Sequence, residues 1–178
     1  MPIRHKTIQI SAGLTALILI LVLAGTPAHA ITWDGGGSTE NASEADNWTP
    51  NEVPTSASDI VLDGVNDKNM TWDAGVSGLP NTVASWDQQS GYSGTVTILT
   101  KYSDSFTNFI ISDNCTINGG TWNHYGNSGG TPAQYLLRVE VVSNMTIGAD
   151  AEINVVGLGY TYCAGPGAGV ANTRAVHV

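Results

Sequence analysis

Positive charge is the scarcest commodity in this chain: 6 Lys and Arg stand against 15 Asp and Glu. Arg4 and Lys6 sit at the very start, so from residue 31 onward only Lys68, Lys101, Arg138 and Arg174 face the 15 acids, a net charge of −11. A surface of that sign repels phosphate backbones and anionic membranes, which excludes nucleic-acid binding. Charged residues of both signs make up 12 % of the chain, about half the usual share, so groups for acid–base chemistry are few.

Histidine and cysteine are scarce as well. His124 stands beside Tyr125 in a glycine-rich loop with no Ser, Cys or carboxylate at a suggestive spacing, so it reads as a solvated loop histidine. No His/Cys constellation for a metal ion exists. Two cysteines allow one disulfide, Cys115 to Cys163, in an oxidising compartment. Against that pairing, Cys115 occupies an inward strand position whose counterpart thirty residues on is Met145, a place for a small buried hydrophobe. Helical periodicity is missing throughout the chain after residue 30.

What is present begins with a basic head, MPIRHK, an apolar run from Ile8 to Leu23, and Thr26-Pro27-Ala28-His29-Ala30. Charged head, apolar middle and small residues before a cut read as a secretory signal peptide over residues 1–30, leaving one modest domain. Thr26 stands where a lipoprotein would need Cys, so no lipid anchor and no membrane insertion after cleavage are expected.

The clearest structural signal lies between Leu137 and Val155. Every odd position there is apolar except Ser143, and the even ones are mostly polar, the two-residue period of strands with one buried face. One strand of that length would span roughly 60 Å, so bends are expected at Ser143-Asn144 and around Gly148 to Asp150. Thirty positions earlier Phe109, Ile111, Cys115 and Ile117 match Val139, Val141, Met145 and Ile147, and Asn114 matches Asn144. A shared inward phase with a shared bend Asn is what stacked coils need, since each coil buries its edge against the next. The spacing predicts an all-β, right-handed parallel β-helix, an incomplete one; two hairpins of a β-sandwich are the alternative.

Residues 31–92 read as an N-terminal β cap with the first irregular coils, residues 93–160 as regular coils, and residues 161–178 as a Gly-rich loop and unstructured tail. Trp33 and Trp48 are expected to form an apolar lid on the open end of the coil. Exposed tryptophans also stack on sugar rings, which makes Trp33, Trp48, Trp72 and Trp122 candidate carbohydrate contacts. The densest oxygen cluster, Asp63, Asn66, Asp67 and Asn69, is a weak candidate for Ca²⁺; its spacing is not that of an EF-hand loop, and a plain Asx-rich turn is the other reading.

Trp33-Asp34-Gly35-Gly36, Asp46-Asn47-Trp48, Val53-Pro54-Thr55 and Asp59-Ile60-Val61 resemble the N-terminal part of large exported bacterial surface proteins of the autotransporter-passenger and adhesin-like kind. Thr116-Ile117-Asn118-Gly119-Gly120-Thr121-Trp122 and Gly165-Pro166-Gly167-Ala168-Gly169 are similar to the same group. The resemblance implies a parallel β-helix, export to the cell surface, and a glycine-rich loop leading into further coils. These are turn and coil signatures, so they speak to architecture more than to activity.

Some proteins of that fold cleave polysaccharides, so a pectate-lyase-like or glycoside hydrolase enzyme is one alternative and a carbohydrate-binding module another. Catalysis would need clustered carboxylates, and Arg138, Glu140, Asp150 and Glu152 form the one local grouping, equally what any solvated strand face shows. The expectation is a secreted or cell-surface, non-catalytic scaffold, a fragment of a longer protein. Its partners would be glycans, other surface proteins or further coils of its own chain.

Overall fold

The computed structural model describes residues 29–74, 78–99, 108–127 and 134–160. Most of the expected signal peptide, Cys163 and the segment from residue 161 lie outside the described residues.

Eleven strands among the described residues wind into a three-sided parallel β-solenoid of about four turns. The first face stacks β1 (His29–Trp33), β3 (Ser58–Leu62) and β6 (Ser85–Gln88), and then the opening halves of β9 (Cys115–His124) and β11 (Met145–Ile153). The second stacks β4 (Met70–Trp72), β7 (Thr95–Ile98) and the closing halves of β9 and β11; the third stacks β5 (Thr82–Val83), β8 (Phe109–Ile111) and β10 (Val139–Val141). Ile31, Ile60, Trp86, Cys115 and Met145 stand in one file at intervals of 29, 26, 29 and 30 residues. All ladders between coils are parallel, which removes the sandwich alternative; β2 (Trp48–Thr49) alone pairs antiparallel, on β1.

The repeat expected from sequence lies in register. Val139 pairs with Phe109, Val141 with Ile111, Met145 with Cys115 and Ile147 with Ile117. The Asn144 side chain donates to the Asn114 side-chain oxygen at 3.1 Å, stacking the two bends. The expected bend at Gly148 to Asp150 falls inside β11, where the chain passes from the first face to the second and one extra residue shifts the register against β9. In β9 the matching corner falls at Gly120, whose φ of 69° and close approach to the Gly94 carbonyl suit glycine alone. The chain runs through both corners without leaving the ladder, so the first two faces form one bent sheet.

All three faces send aromatic side chains to the axis. Trp72 from the second face, Trp86 from the first and Phe109 from the third meet with ring centroids 4.9–5.9 Å apart, and Trp122 of the next coil lies 5.0 Å from Trp86, edge to face. Such contacts add to area burial because ring edges and faces carry opposite partial charge. Their indole N–H groups still need acceptors. Gln88, fully buried in the file between Leu62 and Ile117, accepts from Trp122 Nε1 at 2.7 Å and from Trp86 Nε1 at 3.4 Å, and donates to the Gly119 carbonyl. One amide thus ties two coils and the glycine corner together.

The two ends of the stack differ. At the head, β2 folds Trp48 edge-on against Trp33, centroids 5.2 Å apart, and both rings are buried. At the other end Met145 and Ile147 are 44 % and 49 % exposed, although Cys115 and Ile117 beneath them are 0 % exposed. The inward file of β11 has no coil above it among the described residues.

Replacing Gln88 by Leu keeps the volume and orphans the Trp122 N–H and the Gly119 carbonyl. The expected loss is roughly 1–3 kcal/mol for each orphaned group, read as a lower urea midpoint at unchanged slope. A midpoint unmoved by Q88L would show that the amide does not tie the coils.

Candidate functional site

The head segment between β1 and β2 is organised by two side chains. Asn47, fully buried, donates from its amide to the Thr39 and Asn41 carbonyls, both at 2.9 Å, and accepts from the Gly37 N–H at 2.8 Å. Its own carbonyl receives the Asp34 and Gly35 N–H groups. Glu44 gathers both the N–H and the hydroxyl of Thr39 and of Ser38 on its carboxylate, at 2.6–2.9 Å. Those bonds, led by the Thr39 hydroxyl, stabilise the ionised form and hold its carboxyl down at about 2.

Beside this segment lies a hollow of about 250 Å³ lined by Thr32, Asp34, Thr49, Asp63, Val65 and Asn66, with the buried Trp33 behind them. Asp34 uses both oxygens within the protein, accepting from the Gly36 N–H at 2.8 Å and the Thr49 hydroxyl at 2.5 Å. One oxygen of Asp63 takes the Val65 N–H at 2.9 Å. What remains is one carboxylate oxygen, the Thr32 hydroxyl and the Asn66 amide, a set that can hold a water or a sugar hydroxyl but falls short of the 6–8 oxygens calcium takes.

The expected calcium cluster is therefore divided. Asp63 and Asn66 line the hollow, whereas Asp67 and Asn69 turn to the next coil and accept the N–H groups of Ser93 at 2.9 Å and Thr95 at 3.0 Å. They hold neighbouring coils together, the Asx role that an oxygen-rich turn also predicts. Among the described residues, no three His, Cys, Asp or Glu side chains gather closely enough to hold a metal ion.

The tryptophans are corrected too. Trp33, Trp48, Trp72 and Trp122 are 0–1 % exposed, so none has a face free for a sugar ring; the lid reading of Trp33 and Trp48 is the one the structure supports. An exposed ring lies elsewhere, Tyr125 just past β9, set against the half-buried Tyr135 with centroids 5.0 Å apart. His124 is no loop histidine: it ends β9 on the inward side, 7 % exposed, with Nδ1 2.8 Å from the Tyr125 carbonyl. Glu140 lies on the third face, where it accepts from Asn108 at 2.8 Å, while Asp150 and Glu152 lie on the second. The carboxylates of the expected grouping do not converge.

Cys115 carries a free, buried thiol, and Cys163, its expected partner, lies outside the described residues. Burial pushes its pKa up to about 12, so its reactive thiolate is absent at ordinary pH. Gln88 is the residue sequence reasoning missed, since a polar side chain at an inward position leaves no pattern of its own. No helix among the described residues is long and apolar enough to cross a membrane. Comparison with protein-family models, with curated proteins and with solved structures finds no match to this chain.

Two measurements follow from these groups. Because the folded pKa of Glu44 lies below its ordinary 4.5, its stabilisation of the head segment is present above pH 4.5 and is lost as pH falls through about 2. NMR should show the Glu44 carboxyl titrating near 2, with Ser38 and Thr39 amides losing protection in the same window; an ordinary carboxylate midpoint would contradict the cradle. In a Cys163→Ser chain, Cys115 should resist a thiol reagent at pH 8 until denaturant is added, and rapid native labelling would contradict its burial.

Proposed function

We propose that this protein is an exported, non-catalytic scaffold of the bacterial cell surface, similar to the adhesin-like proteins its head segment resembles. The observation that carries the reading is the exposed inward file of the last coil. Met145, Ile147 and Ile153 occupy positions that are buried in every earlier coil, and they ask for another coil or a partner protein above them. A lid at one end and, among the described residues, an open stack at the other suit a column built outward from its head.

Export is supported by where the core begins. Ile31 and Trp33 are the first buried residues of β1, whereas His29 and Ala30 are exposed. A cut after Ala30 would shorten β1 at its outer end and leave the core whole. The outward faces are short polar side chains without converging carboxylates, which favours contact over turnover.

Produced from Met1 in a bacterial host, the chain should leave the cytoplasm with Ile31 as its new N-terminus by sequencing, and protease added to intact cells should remove it. Uncleaved chain retained in the cytoplasm would sink the proposal. Neutral and acidic polysaccharides should show no sustained release of reducing ends, and turnover abolished by Asp150→Asn or Glu152→Gln would favour an enzyme instead.

A further inference from the structure

The last described coil is close to symmetric when its chain direction is reversed. β10 pairs with β8 alone and β11 with β9 alone, so among the described residues the outer edge of each has no neighbour. In β11, Met145 and Ile147 on the first face are answered, across the corner at Ala149, by Ala151 and Ile153 on the second. Met145, Ile147 and Ile153 are 39–49 % exposed. On the third face Leu137, Val139 and Val141 pack against the core, and the side chains between them, both exposed, are Arg138 and Glu140. Reversal therefore keeps the apolar positions of both strands and exchanges a positive charge for a negative one.

The head pole is built differently. β2, the outermost strand there, is two residues long, is followed directly by Pro50, and holds the fully buried Trp48. Proline has no N–H to offer an added strand, and short edges ended by proline discourage pairing with another chain. Residues 137–156 contain neither proline nor lysine, so the tail edges carry no such guard.

We infer that a second copy of this chain covers the tail pole, the two joined tail to tail about a two-fold axis through the β11 corner and the middle of β10. Such an axis exchanges the first and second faces, so each half of β11 runs antiparallel to the other half of its counterpart. With Ala149 on the axis, Met145 faces Ile153 of the other copy and Ile147 faces Ala151, while Asp150 and Glu152 face Gly148 and Thr146. No acid there meets its own kind. On the third face β10 lies antiparallel to its counterpart about Val139, and Arg138 stands opposite Glu140 of the other copy, twice in the dimer. The contact pairs the free strand edges and takes the exposed inward file out of water. A head-to-tail stack would instead set these edges on Trp48 and Pro50, so assembly closes at two. The inference rests on the open pole of the scaffold reading and names what closes it.

The test is sedimentation velocity of the purified chain from about 1 to 100 μM, where a species of twice the chain mass should dominate and nothing larger should form. Ile147→Lys should be monomeric with unchanged far-ultraviolet circular dichroism, whereas Val65→Lys, at an 82 % exposed valine near the head, should dimerise as the parent does. Arg138→Glu and Glu140→Arg each set like charges opposite one another twice, and each should weaken association about 3- to 30-fold. An equimolar mixture of those two variants should regain the parent's affinity, because the mixed dimer restores both opposite-sign pairs. A monomer throughout would leave the pole to residues beyond 160 or to another protein and would overturn the inference. Open-ended oligomers, a dimeric Ile147→Lys chain, loss of the dimer in Val65→Lys, or a mixture no tighter than its components would overturn it equally. Export does not enter these measurements, so a monomer would leave the exported, non-catalytic reading standing, and retention in the cytoplasm would leave the dimer intact.

Discussion

Every coil of this protein depends on the one beside it for its backbone hydrogen bonds. A parallel strand cannot satisfy its own N–H and C=O groups, and an unpaired buried backbone group costs as much as a lost hydrogen bond. Stacking answers this only if successive coils return to the same place, which is why intervals along the first face stay between 26 and 30 residues while strand lengths vary widely. Differences in coil length are absorbed at corners and loops. The added residue in β11 and the left-handed Gly120 are local adjustments that leave the ladders on either side intact.

Inside that frame the core is built from large rings rather than a uniform aliphatic filling. Tryptophan needs an acceptor as well as an apolar pocket, and the coil supplies acceptors to four of the five: Gln88 for Trp86 and Trp122, the Ala42 carbonyl for Trp48, and the Lys68 carbonyl for Trp33, while the buried Trp72 indole N–H has none among the described residues. Side chains of Asp67 and Asn69 do the corresponding work outside, reaching 26 residues along the chain to close the turn of the next coil.

Sequence alone made the regular part of this legible. Phe109 to Ile117 and Val139 to Ile147 keep one phase and share a bend asparagine, so their parallel stacking could be read from spacing. The earlier coils were harder for physical reasons. Their strands are short, and Ala84 turns the chain between β5 and β6, so Asn81 to Trp86 reads as one strand when it spans two faces. Too few residues remain in each strand to show which parity points inward, and this is why buried tryptophans could pass for exposed ones. The divided calcium cluster has a similar origin. The partners that Asp67 and Asn69 find are backbone groups a full coil away, and no local spacing announces them.

Because one terminus of the column is sealed by Trp48 and the other, among the described residues, leaves the edges of β10 and β11 without a further coil, the molecule has a direction. Its sealed pole is made of residues that emerge early in synthesis, and the free edge of its last described coil presents a hydrogen-bonding pattern that any segment laid on it would have to match. Growth of such a stack is copying: each added layer inherits its alignment from the layer below, and an error at one corner would be handed on to all that follow.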